Sequence, residues 1–136
     1  MAKILLAVAP TAMPMMIHGF PPKHDLVPCL TLEEAEVVLC KEDIDLVVCG
    51  VYFDENRMFD LLRFAQSDPS VNAIPILCVK ALPDMLGSTF LQAVDIAARA
   101  LGARKFVDFS EWLLQVGENE AFERLHEVIQ RLLPST

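Results

Sequence analysis

The side chain best placed to do chemistry is that of Lys80, near the end of the apolar run Ile74–Ala81, where a buried strand would open to solvent. An ammonium there can bind an anion, or pair with Asp54 or Glu55 in the loop after another apolar run. In the plainer reading it is a solvated lysine at a strand end. Asp54 and Glu55 can hold a cation, or belong to a solvated loop in which Asp54 or Asn56 caps the next helix. His18, His24 and His126 are scattered, and no serine, cysteine or aspartate accompanies them in a catalytic arrangement. Cys29, Cys40, Cys49 and Cys78 form no C-x-x-C pair and have no histidine at metal-ligand spacing. Each lies among aliphatic residues, so we expect four buried, reduced, structural thiols. Gly50 permits close approach of a ligand, yet no phosphate-cradling glycines surround it. A small enzyme built on Lys80 with Asp54 or Glu55 is the remotest reading. We expect no enzyme, no metal and no cofactor, and a protein that works by binding.

These side chains need a scaffold, and 136 residues suffice for one domain spanning 1–136. At 54% hydrophobic and 22% charged residues, the composition calls for strands buried on both faces and excludes disorder. Apolar runs alternate with helical patterns along the whole chain, the pattern of repeated strand–helix units on a parallel sheet. Strands are expected at Lys3–Ala9, Asp25–Cys29, Ile44–Val51, Ile74–Ala81 and Lys105–Phe109. A short helix fits Ala12–His18, stopped by Gly19, in a segment with four of the nine prolines. Thr31-Leu32-Glu33-Glu34 is a capping box that opens the second helix. The third helix has the inward stripe Met58, Leu61, Leu62 and Ala65 and ends before Pro69. After a loop at Pro83–Ser88 a helix covers Thr89–Leu101, and Ser110 caps a turn carrying Trp112. The last helix covers Asn119–Leu133, burying Phe122, Leu125, Ile129 and Leu132, and Pro134 stops it. Five strands and about five helices in alternation make a three-layer α/β sandwich, a doubly wound five-stranded parallel sheet.

The net charge of −8, with only 11 lysines and arginines and no basic cluster beyond Arg104-Lys105, argues against nucleic acid and against an anionic membrane. The run Ile4–Ala9 is shorter than a signal-peptide core and meets Pro10, so it reads as a strand. No stretch approaches the ~20 apolar residues that span a bilayer. A cytoplasmic location is expected.

Four fragments share one further property. They are Thr31-Leu32-Glu33-Glu34-Ala35, Asp45-Leu46-Val47-Val48-Cys49, Asp68-Pro69 with Ile74-Pro75-Ile76-Leu77-Cys78-Val79-Lys80-Ala81, and Ala100-Leu101-Gly102-Ala103 with Phe106-Val107. Their order and spacing resemble the receiver domain of two-component response regulators, over most of the chain. The resemblance implies a flavodoxin-like sheet with strand order 2-1-3-4-5. It also implies where phosphoryl chemistry would sit. The receivers' acidic pair, which holds magnesium, falls on Val8 and Ala9, and the phosphate-accepting aspartate on Gly50. Their hydroxyl residue falls on Lys80 and their lysine at about Phe109. Phosphoryl transfer to a carboxylate needs a carboxylate nucleophile and a cation on oxygen ligands. Val8, Ala9 and Gly50 supply neither, and Asp54 and Glu55 lie too far along the loop to replace the acceptor. A flavin is disfavoured because Pro10–Pro14 lacks a Ser/Thr/Gly-rich phosphate grip.

The chain therefore resembles a pseudo-receiver, a regulatory module of signal transduction that acts by protein contact without phosphorylation. The alternative is a domain that binds a small molecule or anion in the crevice at the C-terminal strand ends. By resemblance, the contact surface comprises the fourth helix, fifth strand and fifth helix. In the fourth helix Phe90, Val94, Ala97 and Leu101 form one apolar stripe, and Leu91, Ile96 and Ala98 lie off it. That second apolar side is either an interface or the tolerance of an alanine-rich helix. With Phe90, Leu91, Ala98 and Phe106 as its candidate residues, it suits a protein partner, or a second copy in a homodimer.

Overall fold

The computed structural model describes residues 2–20, 22, 24–83 and 87–133. Strands and helices alternate throughout: β1 (Lys3–Ala7), α1 (Met13–Gly19), β2 (Asp25–Cys29), α2 (Leu32–Lys41), β3 (Leu46–Gly50), α3 (Met58–Ser67), β4 (Ile76–Val79), α4 (Ser88–Ala100), β5 (Lys105–Val107) and α5 (Phe109–Leu132). All strand pairs are parallel and the order is β2-β1-β3-β4-β5, the doubly wound order expected from the sequence. Leu5, Val47 and Cys78 turn to the side covered by α2, α3 and α4. Leu6, Val48 and Leu77 turn to the side covered by α1 and α5. Two covered faces are why these strands read as unbroken apolar runs.

β2 is an edge strand, and its composition suits an edge. Asp25 N–H donates to the Ala2 carbonyl at 2.9 Å, so residues 25, 27 and 29 face β1. The N–H that Pro28 lacks would have pointed to the free edge, where its absence discourages pairing with another chain. Several strands end earlier than their apolar runs. Val8, Ala81 and Phe109 stay buried after the ladders stop, so hydrophobicity overstates the length of β1, β4 and β5.

The capping box at α2 forms as expected: Glu34 N–H donates to Thr31 Oγ1 at 3.2 Å, and Glu34 Oε1 accepts from Leu30 N–H at 3.3 Å. The stripe of α3 is buried in full. Gly19 ends α1 for a reason other than the expected backbone freedom. A Cβ there would lie 2.1 Å from the ring of Phe122, so the glycine is where α1 presses on α5.

The C-terminal region keeps the two pieces that the sequence suggests: α5 is broken at Gly117, whose φ of 83° and ψ of 173° are not helical, into a first piece that carries Trp112 and a last helix that runs to Leu132. The cap of α5 is Asp108, whose carboxylate accepts from Glu111 N–H at 3.2 Å, and Ser110 is instead buried beneath it. Past Gly117 the helix buries Ala121, Phe122, Leu125 and Ile129, while Leu132 packs against that core only partly buried. Residues 84–86 of the expected Pro83–Ser88 loop lie outside the described residues, as does Pro134.

Candidate functional site

Open α/β sheets bind ligands at the C-terminal ends of their strands, so the candidate site is the surface beyond Ala7, Gly50, Val79 and Val107. Val8 follows β1 and is almost wholly buried. A Cβ at Gly50 would sit 3.3 Å from Val8 Cγ1 and 3.5 Å from Val8 Cα. The valine side chain therefore leans over the point from which any side chain at position 50 would emerge. Ala9 is half-buried. Phe109 is fully buried, with its ring 4.7 Å from that of Phe122 and 6.4 Å from that of Trp112. Among the described residues no three His, Cys, Asp or Glu side chains come together as metal ligands. Magnesium takes carboxylate and water oxygens. Val8, Ala9 and Gly50 offer no side-chain oxygen, so the residues at this point do not fit that ion.

Lys80 is where the structure corrects the sequence reading. Its residue is only 4% exposed, not a solvated strand end. The ammonium donates to Ser110 Oγ at 2.6 Å and to the Leu82 carbonyl at 3.0 Å, and lies 3.8 Å from Asp108 Oδ1. Ser110 Oγ in turn donates to Asp108 Oδ1 at 2.7 Å. The backbone repeats the connection, for Lys80 N–H donates to the Val107 carbonyl and Ser110 N–H to the Lys80 carbonyl, each at 2.9 Å. Among the described residues, a carboxylate near Lys80 thus comes from the start of α5, where the sequence suggested the 54–55 loop. A serine, a lysine and an aspartate in hydrogen-bond contact invite a nucleophilic reading. In this arrangement Lys80 donates to Oγ and does not accept from it, and Ser110 is buried.

Asp54 is also committed, and not to the helix expected. Its Oδ2 accepts from Leu32 N–H, the first amide of α2, at 2.8 Å, and lies 3.9 Å from Arg57 Nη1. The N-cap position of α3 is Arg57, with no side-chain bond to that helix. The reason lies in the backbone: Asp54, Glu55 and Asn56 have φ of 44°, 54° and 67°, so the loop coils back toward α2. Glu55 is exposed. The positive N-terminal end of α2 is thereby served from two sides, by Thr31 and by Asp54.

Three thiols are buried as expected and one is not. Cys49 and Cys78 are partners across β3 and β4. Burial pushes the Cys78 thiol up to about 12 and the Cys29 thiol to about 11, and raises that of Cys49 as well. Cys40 is exposed, on the solvent side of α2, with its Sγ 3.8 Å from Asp68 Oδ2. Sequence reasoning missed Asp108 and gave Ser110 only the role of a cap, although Asp108-Phe109-Ser110-Glu111 has the same cap-x-x-Glu form as the box at Thr31.

No family model matches the sequence, and no curated protein does. Solved structures do. The phosphorylated cyanobacterial phytochrome response regulator RcpA superposes with a TM-score of 0.73 at 15% identity, over 98% of this chain and 99% of that one. A response regulator in red light signaling of R. palustris gives 0.74 at 10% identity, with full coverage of both chains. The receiver domain of a sensor histidine kinase from Pseudomonas aeruginosa, with magnesium coordinated in its active-site cleft, gives 0.73 at 12% identity, over 98% of each chain. The chain has the receiver fold.

On this receiver fold α4 is turned differently from the stripe read in the sequence. Val94 and Ala98 are buried in the core, with Leu101 packed against it, and Leu91 shares their side half-buried. Ala98 is therefore a core residue and not part of an outer surface. Phe90, read both as part of the inward stripe and as an interface candidate, is 53% exposed, and Ile96 is 71% exposed. Phe106 of β5 is half-buried against the core on the α4 side. The helix is apolar on more than one side, so two stripes fit it in sequence, and the structure seats the side of Val94 and Ala98 on the sheet. No helix of the described residues is long and apolar enough to cross a membrane.

Proposed function

We propose that this domain is a pseudo-receiver, a signalling module that regulates a protein partner by contact and does not accept a phosphoryl group. One observation carries the reading: Gly50 stands where the acceptor would be, under the side chain of Val8. A carboxylate nucleophile and the acidic residues that would bring its metal are both replaced by groups without side-chain oxygens. Lys80 and Phe109, at the other two signalling positions, are taken up in a buried hydrogen-bond network and a ring cluster. The contact surface is the outer side of α4 beside β5 and the start of α5, where Phe90, Ile96 and Leu114 stand in water. The partner is another protein or a second copy of this chain, which light scattering at high micromolar concentration distinguishes.

The test of phosphorylation is intact-mass spectrometry after incubation with magnesium and acetyl phosphate. The expected spectrum is that of the unmodified chain. A stable single phosphate adduct on a carboxylate overturns the proposal.

A further inference from the structure

We propose that Lys80 is a built-in cation that clamps the end of β4 to the first turn of α5, holding the entry of α5 in one arrangement with no bound ion. This inference rests on the pseudo-receiver reading and deepens it, by saying what sets the contact surface when phosphorylation does not.

The clamp is drawn tight at one end of a short segment. Lys80, Ser110 and Asp108 form a connected set through 2.6 Å and 2.7 Å hydrogen bonds and the 3.8 Å ion pair, with Lys80 and Ser110 both buried. A lysine is seldom buried this deeply unless it is paired, and here the strands and the helix are arranged around it. Asp108 has a second task, capping α5 through Glu111 N–H. One carboxylate thus ties the cation to the helix start. At the other end of the segment stands Gly117, with φ of 83° and ψ of 173°. The residues between, 109–116, make two helical turns with a cap of their own and a break behind them.

That segment carries an exposed apolar group. Leu114 is 82% exposed, while Trp112, Leu113 and Val116 are half-buried. Its position depends on Phe109 in the ring cluster and on the Lys80 clamp. With the clamp closed the two turns lie in one place; with it open they can swing about Gly117. Lys80 is part of the chain itself, so the closed state needs no added ion.

Hydrogen–deuterium exchange followed by mass spectrometry tests this on the whole chain, comparing the wild type with Lys80→Met and Asp108→Asn. Methionine keeps the length of the stem and removes the cation. Asparagine keeps a capping oxygen and removes the countercharge. Exchange of the amides of residues 111–116 should rise about tenfold in Lys80→Met and less in Asp108→Asn, with β1 and β3 unchanged. Should Lys80→Met fail to fold, Asp108→Asn decides alone by the same pattern. Unchanged exchange at 111–116, or an equal rise everywhere, overturns the clamp. Acetyl phosphate is applied to the same wild-type sample: uptake of phosphate defeats the pseudo-receiver reading, whereas the exchange pattern reports on the clamp by itself.

Discussion

On the pseudo-receiver reading Gly50 and Val8 act together at the strand-end surface, since Gly50 offers no nucleophile and Val8 leans over the space of any side chain there. Introducing an aspartate at position 50 should therefore not by itself create an acceptor. Gly50→Asp would place a Cβ 3.3 Å from Val8 Cγ1 and bury a carboxylate without a cation, so we expect a loss of about 1–3 kcal/mol of stability and still no phosphate adduct. Urea denaturation and intact mass after acetyl phosphate measure the two halves, and phosphorylation of the single variant would show that the missing residue was the only obstacle. That β3 ends in a glycine with no side-chain oxygen was legible in the sequence because it is a matter of residue type at the end of a strand. The contact between Lys80 and Asp108 was not, because Asp54 is as near in sequence as Asp108 and only the fold brings Asp108 to it.

Elements were legible where one periodicity dominates. α3 has a single apolar stripe, Met58, Leu61, Leu62 and Ala65, and every residue of it is buried. α4 has apolar residues on more than one side, and spacing alone could not choose between Phe90–Ala97 and Leu91–Ala98. The buried face now makes a sharp contrast between neighbours two positions apart. Ala98→Glu forces a charge into a packed core and should cost at least about 3 kcal/mol, enough to unfold a marginal domain. Ile96→Glu changes an exposed side chain and should stay within about 0.5 kcal/mol. Thermal melts of both variants check this, and equal losses would mean that α4 is seated with the other stripe inward. The break at Gly117 was legible as the gap between the turn carrying Trp112 and the helix from about Asn119, whereas the first piece being a capped helix was not, because its cap is Asp108 and not Ser110.

For the whole molecule, the buried thiols set how stability responds to alkali. Burial holds Cys78 at about 12, Cys29 at about 11 and Cys49 above its ordinary value, whereas in the unfolded chain a thiol ionises near 9. A folded pKa above the unfolded one means that the native state keeps protons the unfolded state has released. Unfolding then becomes easier as pH rises. The contribution of these thiols is complete below about pH 9 and is lost as pH climbs toward 11 and 12, at up to about 1.4 kcal/mol per pH unit for each group. The urea midpoint should fall steeply between pH 8.5 and pH 10.5. Tyrosine and lysine titrate in the same range, so Cys78→Ala separates the causes. Alanine costs stability at pH 7 through the lost packing, yet it removes one ionising group from the unfolded state. Its midpoint should therefore decline less between the two pH values than that of the wild type. Parallel declines would show that the thiol of Cys78 is not among the groups that make the fold sensitive to alkali.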